Sequence, residues 1–149
     1  MTAAETTLLT DQDIYLWNEG SHFRLYDKLG AHPAADGKGV YFAVWAPNAD
    51  SVSVIGDWNG WDPATDPLRA VQHSGIWAGF LADAAPTHSY KYRIRNGSFQ
   101  VDKADPFGFH HETPPKTASK VWDLSYEWGD AAWMRERGER NRLTDPIRV

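Results

Sequence analysis

The chain contains no cysteine, which excludes disulfides, thiolate metal ligands and cysteine nucleophiles together. That absence fits a reducing cytosol. It also lacks any surplus of basic charge: 15 Lys and Arg stand against 20 Asp and Glu, for a net charge of −5. Nucleic acids and acidic membrane surfaces attract clustered Lys and Arg, so neither is an expected partner. No apolar run is long enough to span a bilayer, and residues 1–20 lack the basic start and apolar stretch of a secretory signal. At 149 residues the chain is also shorter than the roughly 200 residues that a (β/α)8 barrel needs. Its function must therefore be carried without a barrel of its own.

What it has in excess is aromatic surface. Eight Trp, six Tyr and six Phe make up 13% of the residues, more than a core of this size readily buries. Flat ring faces suit the CH faces of sugars, and their edges suit hydrogen bonding. A β-sandwich core rich in Trp and Tyr is the alternative explanation.

Residues 1–10 are small and polar and read as a frayed tail. Residues 11–38 read as a helical lead-in: Thr10 or Asp11 caps a turn carrying Ile14 and Trp17, Gly20 breaks it, and Leu25 and Leu29 form an i, i+4 stripe ended by Gly30. From Val40 the period changes to two. Val40, Phe42 and Val44 alternate with Tyr41, Ala43 and Trp45, and Val52 and Val54 alternate with serines. A further run begins at Ile76. In the clearest one, Tyr90, Tyr92 and Ile94 point one way and Lys91, Arg93 and Arg95 the other. Asn96-Gly97 predicts a two-residue type I′ turn into a strand starting near Phe99, and 119–123 predicts a last strand. Short strands separated by turns, with no helices between them, predict an all-β, immunoglobulin-like antiparallel β-sandwich over 39–123, with short helical flanks. Residues 124–149 read as a helical linker in which Asp130 caps Ala131 to Arg137. Pro146 to Val149 begins a new alternation and stops, which suggests a piece of a longer protein.

No constellation for catalysis is present. Retaining glycoside chemistry needs two carboxyls about 5–5.5 Å apart, and the acids here are scattered through turns. There is no nucleophile elbow and no phosphate-cradling loop. His110-His111-Glu112 is adjacent rather than spaced for a metal, so no metal or cofactor is expected. The distinctive cluster is Gly56-Asp57-Trp58-Asn59-Gly60-Trp61-Asp62-Pro63. So polar a loop cannot easily bury two indoles. Trp58, nearer the strand, is expected in the core, leaving Trp61 as an exposed platform. A platform needs groups to bind hydroxyls, and Lys91 and Asn59 offer them. Phe99 supplies a second ring at a loop edge.

These residues resemble the family 48 carbohydrate-binding module, in Phe42-Ala43-Val44-Trp45-Ala46-Pro47-Asn48-Ala49, Val52 through Trp61, Gly75-Ile76-Trp77 and Tyr90-Lys91-Tyr92. The flanks, Leu25 through Pro33, Asp105-Pro106-Phe107-Gly108 and Trp128 through Met134, look like those of bacterial glycogen branching enzymes. The resemblance implies a cytosolic transferase that cuts an α-1,4 glucan and rejoins it through an α-1,6 bond, with its catalytic carboxyls on a barrel beyond Val149. It also implies sugar contacts at Trp61 and Lys91, with Phe99 in the place of a second stacking Trp. Trp122, Trp128 and Trp133 are then expected at an interface with that barrel. The expectation is thus a noncatalytic α-glucan-binding module. Its rivals are a structural module that docks to the barrel without binding sugar, and the same module from a debranching enzyme or a trehalohydrolase.

Overall fold

The computed structural model describes residues 6–140 and Thr144. Met1 to Glu5 of the expected tail, and the alternation from Pro146 to Val149, lie outside the described residues. Helix α1 (Asp11–Glu19) starts where the sequence places a cap. The Thr10 hydroxyl accepts from the Asp13 N–H, and Asp13 Oδ2 accepts from the Thr10 N–H at 2.8 Å, a reciprocal capping box. Gly20 ends the helix with φ of 78°. No second helix follows. Leu25–Asp27 is a single 3-10 turn, and Gly30–Pro33 is a strand, β1. The 11–38 segment is therefore only partly helical: once Gly30 takes a positive φ of 100°, the chain turns and pairs with β2.

Strands β2 (Val40–Trp45), β3 (Ser51–Gly56), β4 (Arg69–Val71), β5 (Ile76–Leu81), β6 (Ser89–Asn96), β7 (Phe99–Lys103), β8 (His110–His111) and β9 (Ser119–Lys120) follow, then helix α2 (Ala131–Arg140). One sheet has the order β1-β2-β5-β4. The other runs β3-β6-β9-β8, with β7 also on β6. All pairings are antiparallel, and the two sheets face each other as an immunoglobulin-like sandwich. Val40, Phe42 and Val44 of one sheet meet Val52, Val54, Tyr90 and Tyr92 of the other in a single buried cluster. Phe42 and Tyr90 are in edge contact, with ring centroids 5.1 Å apart.

The first sheet is covered on its outer face as well. Ala43, Ile76 and Ala78 lie beneath Leu9, Ile14 and Leu29, with Trp17 and Leu25 at the margin. Trp17 donates its indole N–H to the Ser74 carbonyl at 2.9 Å. The lead-in is thus a lid that a two-layer fold needs over an apolar outer face. Asp13 fastens it. Its carboxylate takes the Thr10 hydroxyl at 2.7 Å, His22 Nε2 at 2.8 Å and Lys28 Nζ at 3.1 Å. Burial alone would push this carboxyl up, but the Thr10 hydrogen bonds, followed by those from His22 and Lys28, outweigh it and hold it well below the usual carboxylate range. A depressed folded pKa contributes stability above the unfolded value of about 4 and loses it as pH falls through the folded value. Asp13→Asn is therefore expected to flatten the acid limb of the stability profile below about pH 4. Urea unfolding at stepped pH checks this, and an unchanged acid limb would contradict it.

Three local outcomes differ from the sequence expectation. The β6–β7 turn is Gly97-Ser98, because Asn96 pairs with Phe99. Only Gly97 of that pair has positive φ, whereas a type I′ turn requires it at both positions. Long-range contacts set the position: the Asn96 side-chain amide donates to the Asn48 carbonyl and the Gly97 N–H to Asp50 Oδ2, both at 2.6 Å. The last strand is only Ser119–Lys120, since Val121 instead bonds the 87–88 backbone. Helix α2 continues past Gly138 to Arg140.

Candidate functional site

Strand β3 ends at Gly56, where a side chain would collide with the Trp58 ring. That close approach lets Trp58 fold back. Its indole stacks on Phe42 at 5.7 Å and on His88 at 5.8 Å, and its N–H donates to Asp66 Oδ2 at 2.8 Å. Asn59 shapes the rest of the loop. Its Oδ1 accepts from the N–H groups of Gly56 and Trp61 at 3.0 and 3.1 Å, and its amide donates to the Val54 carbonyl and to Asp66 at 3.0 and 2.7 Å. All four bonding positions of an amide are thereby used. Asn59 builds the loop and has nothing left for a sugar hydroxyl.

Gly60 and Trp61 both have φ of 63°. For glycine this is free, but for a bulky residue it is a strained conformation costing of order 1–2 kcal/mol. The loop bears that strain and keeps Trp61 38% exposed, with its indole N–H lacking a partner among the described residues. The Trp61 N–H also points to the Gly56 carbonyl at 3.1 Å. The residue before Gly56, Ile55, is the register partner of Lys91. The Trp61 loop therefore leaves β3 one register position from Lys91, whose side chain shares the face of Ile55.

Lys91 donates to the Thr117 hydroxyl at 2.8 Å. Sequence reasoning missed Thr117. Its loop is closed by bonds between residues distant from β6 in sequence: the Glu112 N–H donates to the Ala118 carbonyl at 3.0 Å, and Glu112 Oε2 accepts from the Ala118 N–H at 3.2 Å. The only signal available was the turn chemistry of Pro114-Pro115. Arg93, next on the same face, clamps Asp102 through Nε and through Nη2 at 3.0 Å. That hydrogen bond holds the Asp102 carboxyl below its ordinary value against a smaller push from burial.

Phe99 is not brought to this face. Directly opposed residues share a face, and Phe99 opposes Asn96, which alternates with Lys91 rather than matching it. Its ring is 64% exposed at the hairpin tip, on the side of Tyr92 and Ile94. Farther along, Trp122, Leu124, Tyr126, Trp128, Trp133 and Met134 are all exposed within thirteen residues, Trp128 at 76%. The Trp122 ring lies 4.2 Å from that of His110, and Trp128 packs edge-on against Tyr126 at 4.9 Å. Among the described residues no group of three or more His, Asp or Glu could hold a metal ion, and no helix is long and apolar enough to cross a membrane.

Residues 28–108 match the family described as Carbohydrate-binding module 48 (Isoamylase N-terminal domain). The chain is 52% identical, over 94% of its length, to the 1,4-alpha-glucan branching enzyme GlgB of Albidiferax ferrireducens, and 47% identical, over 96%, to that of Aquifex aeolicus. It spans 23% of the length of each. Among solved structures it is similar to PulA from Klebsiella oxytoca, with a TM-score of 0.55 and 26% identity, covering 65% of this chain and 10% of that one.

Proposed function

This chain belongs to the carbohydrate-binding module 48 family, and from that premise we propose that it is the noncatalytic α-glucan-binding module at the N-terminus of a cytosolic 1,4-alpha-glucan branching enzyme. The parent protein would form the α-1,6 branches of glycogen on a catalytic barrel that follows this segment. Identity near one half to branching enzymes, over more than nine-tenths of this chain, favours this parent. The module would keep a glucan chain near the active site and raise its local concentration.

The observation that carries the reading is Trp61, an indole on a residue with a strained positive φ that stays 38% exposed. A pyranose can lie across that ring while Lys91 and Thr117, already within a hydrogen bond of each other, reach its hydroxyls. Adding maltoheptaose at millimolar concentration is expected to shift the NMR resonances of the Trp61 indole, Lys91 and Thr117 and to leave Phe99 silent. If none of the first three moves, the module does not bind sugar here.

A second role draws on a separate observation. The exposed aromatics from Trp122 to Trp133 exceed what an isolated surface usually shows, and we assign Trp122, Trp128 and Trp133 to docking against the catalytic barrel. The docking segment follows β9 and adjoins the sugar-binding sheet at Trp122, whose ring lies against His110, the register partner of Lys120.

A further inference from the structure

The outer face of the second sheet gathers positive charge in a chain whose net charge is −5. Alternation along β6 places Lys91, Arg93 and Arg95 on it, and register adds Lys120 beside Ser89. Among the described residues, four carboxylates lie close to this face or its ends: Asp57 accepts from the Ser89 N–H at 2.7 Å and Asp50 from the Gly97 N–H at 2.6 Å, so each is already bonded to backbone. Asp102, opposite Arg93, is taken by that guanidinium. Glu112 accepts from the Ser89 hydroxyl at 3.3 Å and lies 3.8 Å from Lys116. Lys91 is bonded only to a neutral hydroxyl. Arg95 and Lys120 have no side-chain partner among the described residues. Each lies to one side of Lys91 along the sheet, so a glucan crossing Lys91 in either direction meets an uncompensated cation.

A neutral sugar needs no net charge: Lys91 serves its hydroxyls as a hydrogen-bond donor, as an amide, a hydroxyl or a backbone group would. A guanidinium instead matches the oxygens of a phosphate in a two-point fork. We propose that this face recognises phosphate monoesters carried on the α-glucan, with Arg95 and Lys120, on opposite sides of Lys91, each contacting a separate phosphate. The inference rests on the glucan-binding reading and adds to it the chemical class of the preferred chain.

The test compares a phosphate-bearing maltodextrin with the same preparation after phosphatase treatment, by calorimetry on the full chain at about 0.02 M and about 0.5 M salt. The phosphodextrin is expected to bind roughly three- to tenfold more tightly at low salt, with the gap closing at high salt as screening shortens the reach of the charges. The double variant Arg95→Gln, Lys120→Gln is expected to abolish the difference while keeping the affinity for neutral dextrin. Glucose 6-phosphate alone is expected to bind at least about tenfold more weakly than the phosphodextrin, because it offers no chain to stack on Trp61. Equal affinity for the treated and untreated dextrins, with neutral binding intact, would overturn the proposal and leave the glucan reading standing. Binding of glucose 6-phosphate as tight as that of the phosphodextrin would overturn it too, by showing a free-phosphate site. Failure of both dextrins to bind would defeat the glucan reading first and this inference with it.

Discussion

Trp61→Ala is expected to weaken retention on glycogen by about tenfold or more, and to remove the tryptophan-fluorescence change on adding maltoheptaose, with the fold intact. The size follows from the area involved: losing one face of an indole from a sugar contact forfeits roughly 1.5–3 kcal/mol of apolar burial, and each 1.4 kcal/mol is about tenfold in affinity. Stability should fall modestly: among the described residues the indole N–H has no hydrogen-bond partner and the alanine keeps the same positive φ, but the covered part of the ring gives up its packing. Trp61→Gly separates the two effects. It removes the ring equally, but glycine adopts φ of 63° without the steric penalty, so the variant is expected to unfold about 0.5–1 kcal/mol later than Trp61→Ala. Affinity electrophoresis and urea melts on both variants check the pair. Undiminished retention of either would remove Trp61 from the site.

The largest expected loss of stability is at Asp105, which is 3% exposed. Its Oδ2 accepts from the hydroxyls of Tyr90 and Tyr92 at 2.7 and 2.9 Å, and its Oδ1 from the Phe107 N–H at 2.8 Å. Its own N–H donates to the Ser119 hydroxyl at 2.9 Å. One carboxylate thereby ties the central strand β6 to the loop that leads into β8 and β9. Burial pushes this carboxyl above its ordinary value despite the tyrosine and backbone hydrogen bonds that favour its charged form. The sign is opposite to that of Asp13: the contribution is fully present below the unfolded value of about 4 and diminishes as pH rises through the folded one. Asp105→Ala strands three buried donors at roughly 1–3 kcal/mol each. A destabilisation of about 3–5 kcal/mol is expected, against about 1–2 kcal/mol for Tyr92→Phe, which removes one donor and leaves the carboxylate its other two. Denaturant unfolding measures both. An Asp105→Ala cost no greater than that of Tyr92→Phe would mean that the network contributes little.

Both sites show how far local pattern reaches. Alternation along 88–95 already separates the buried tyrosines from the cations. The composition of the 56–63 loop already requires that its two indoles part company, since a stretch so rich in polar backbone cannot enter the core whole. Phe99 marks the limit. A two-residue turn in either position opposes it to an even-numbered residue of β6, so its face could have been read, but its choice as a second ring rested on its place at the loop edge and ignored that parity. Asn59 has the sugar-binding residue type. Its role nevertheless depends on the Gly56, Val54 and Asp66 groups that the folded loop puts around it.

The order of residues by itself determined the class of fold, the capped first helix, the sandwich core and the exposure of one indole, because each depends on periodicity or composition within a few neighbours. Tertiary structure alone decided that the lead-in covers the first sheet, that Thr117 meets Lys91, and that the hairpin turns one residue later than its dipeptide suggests. Each of these depends on a contact between segments far apart in the chain. The free energy of such a contact comes from burial or a hydrogen bond that exists only once the two segments are together.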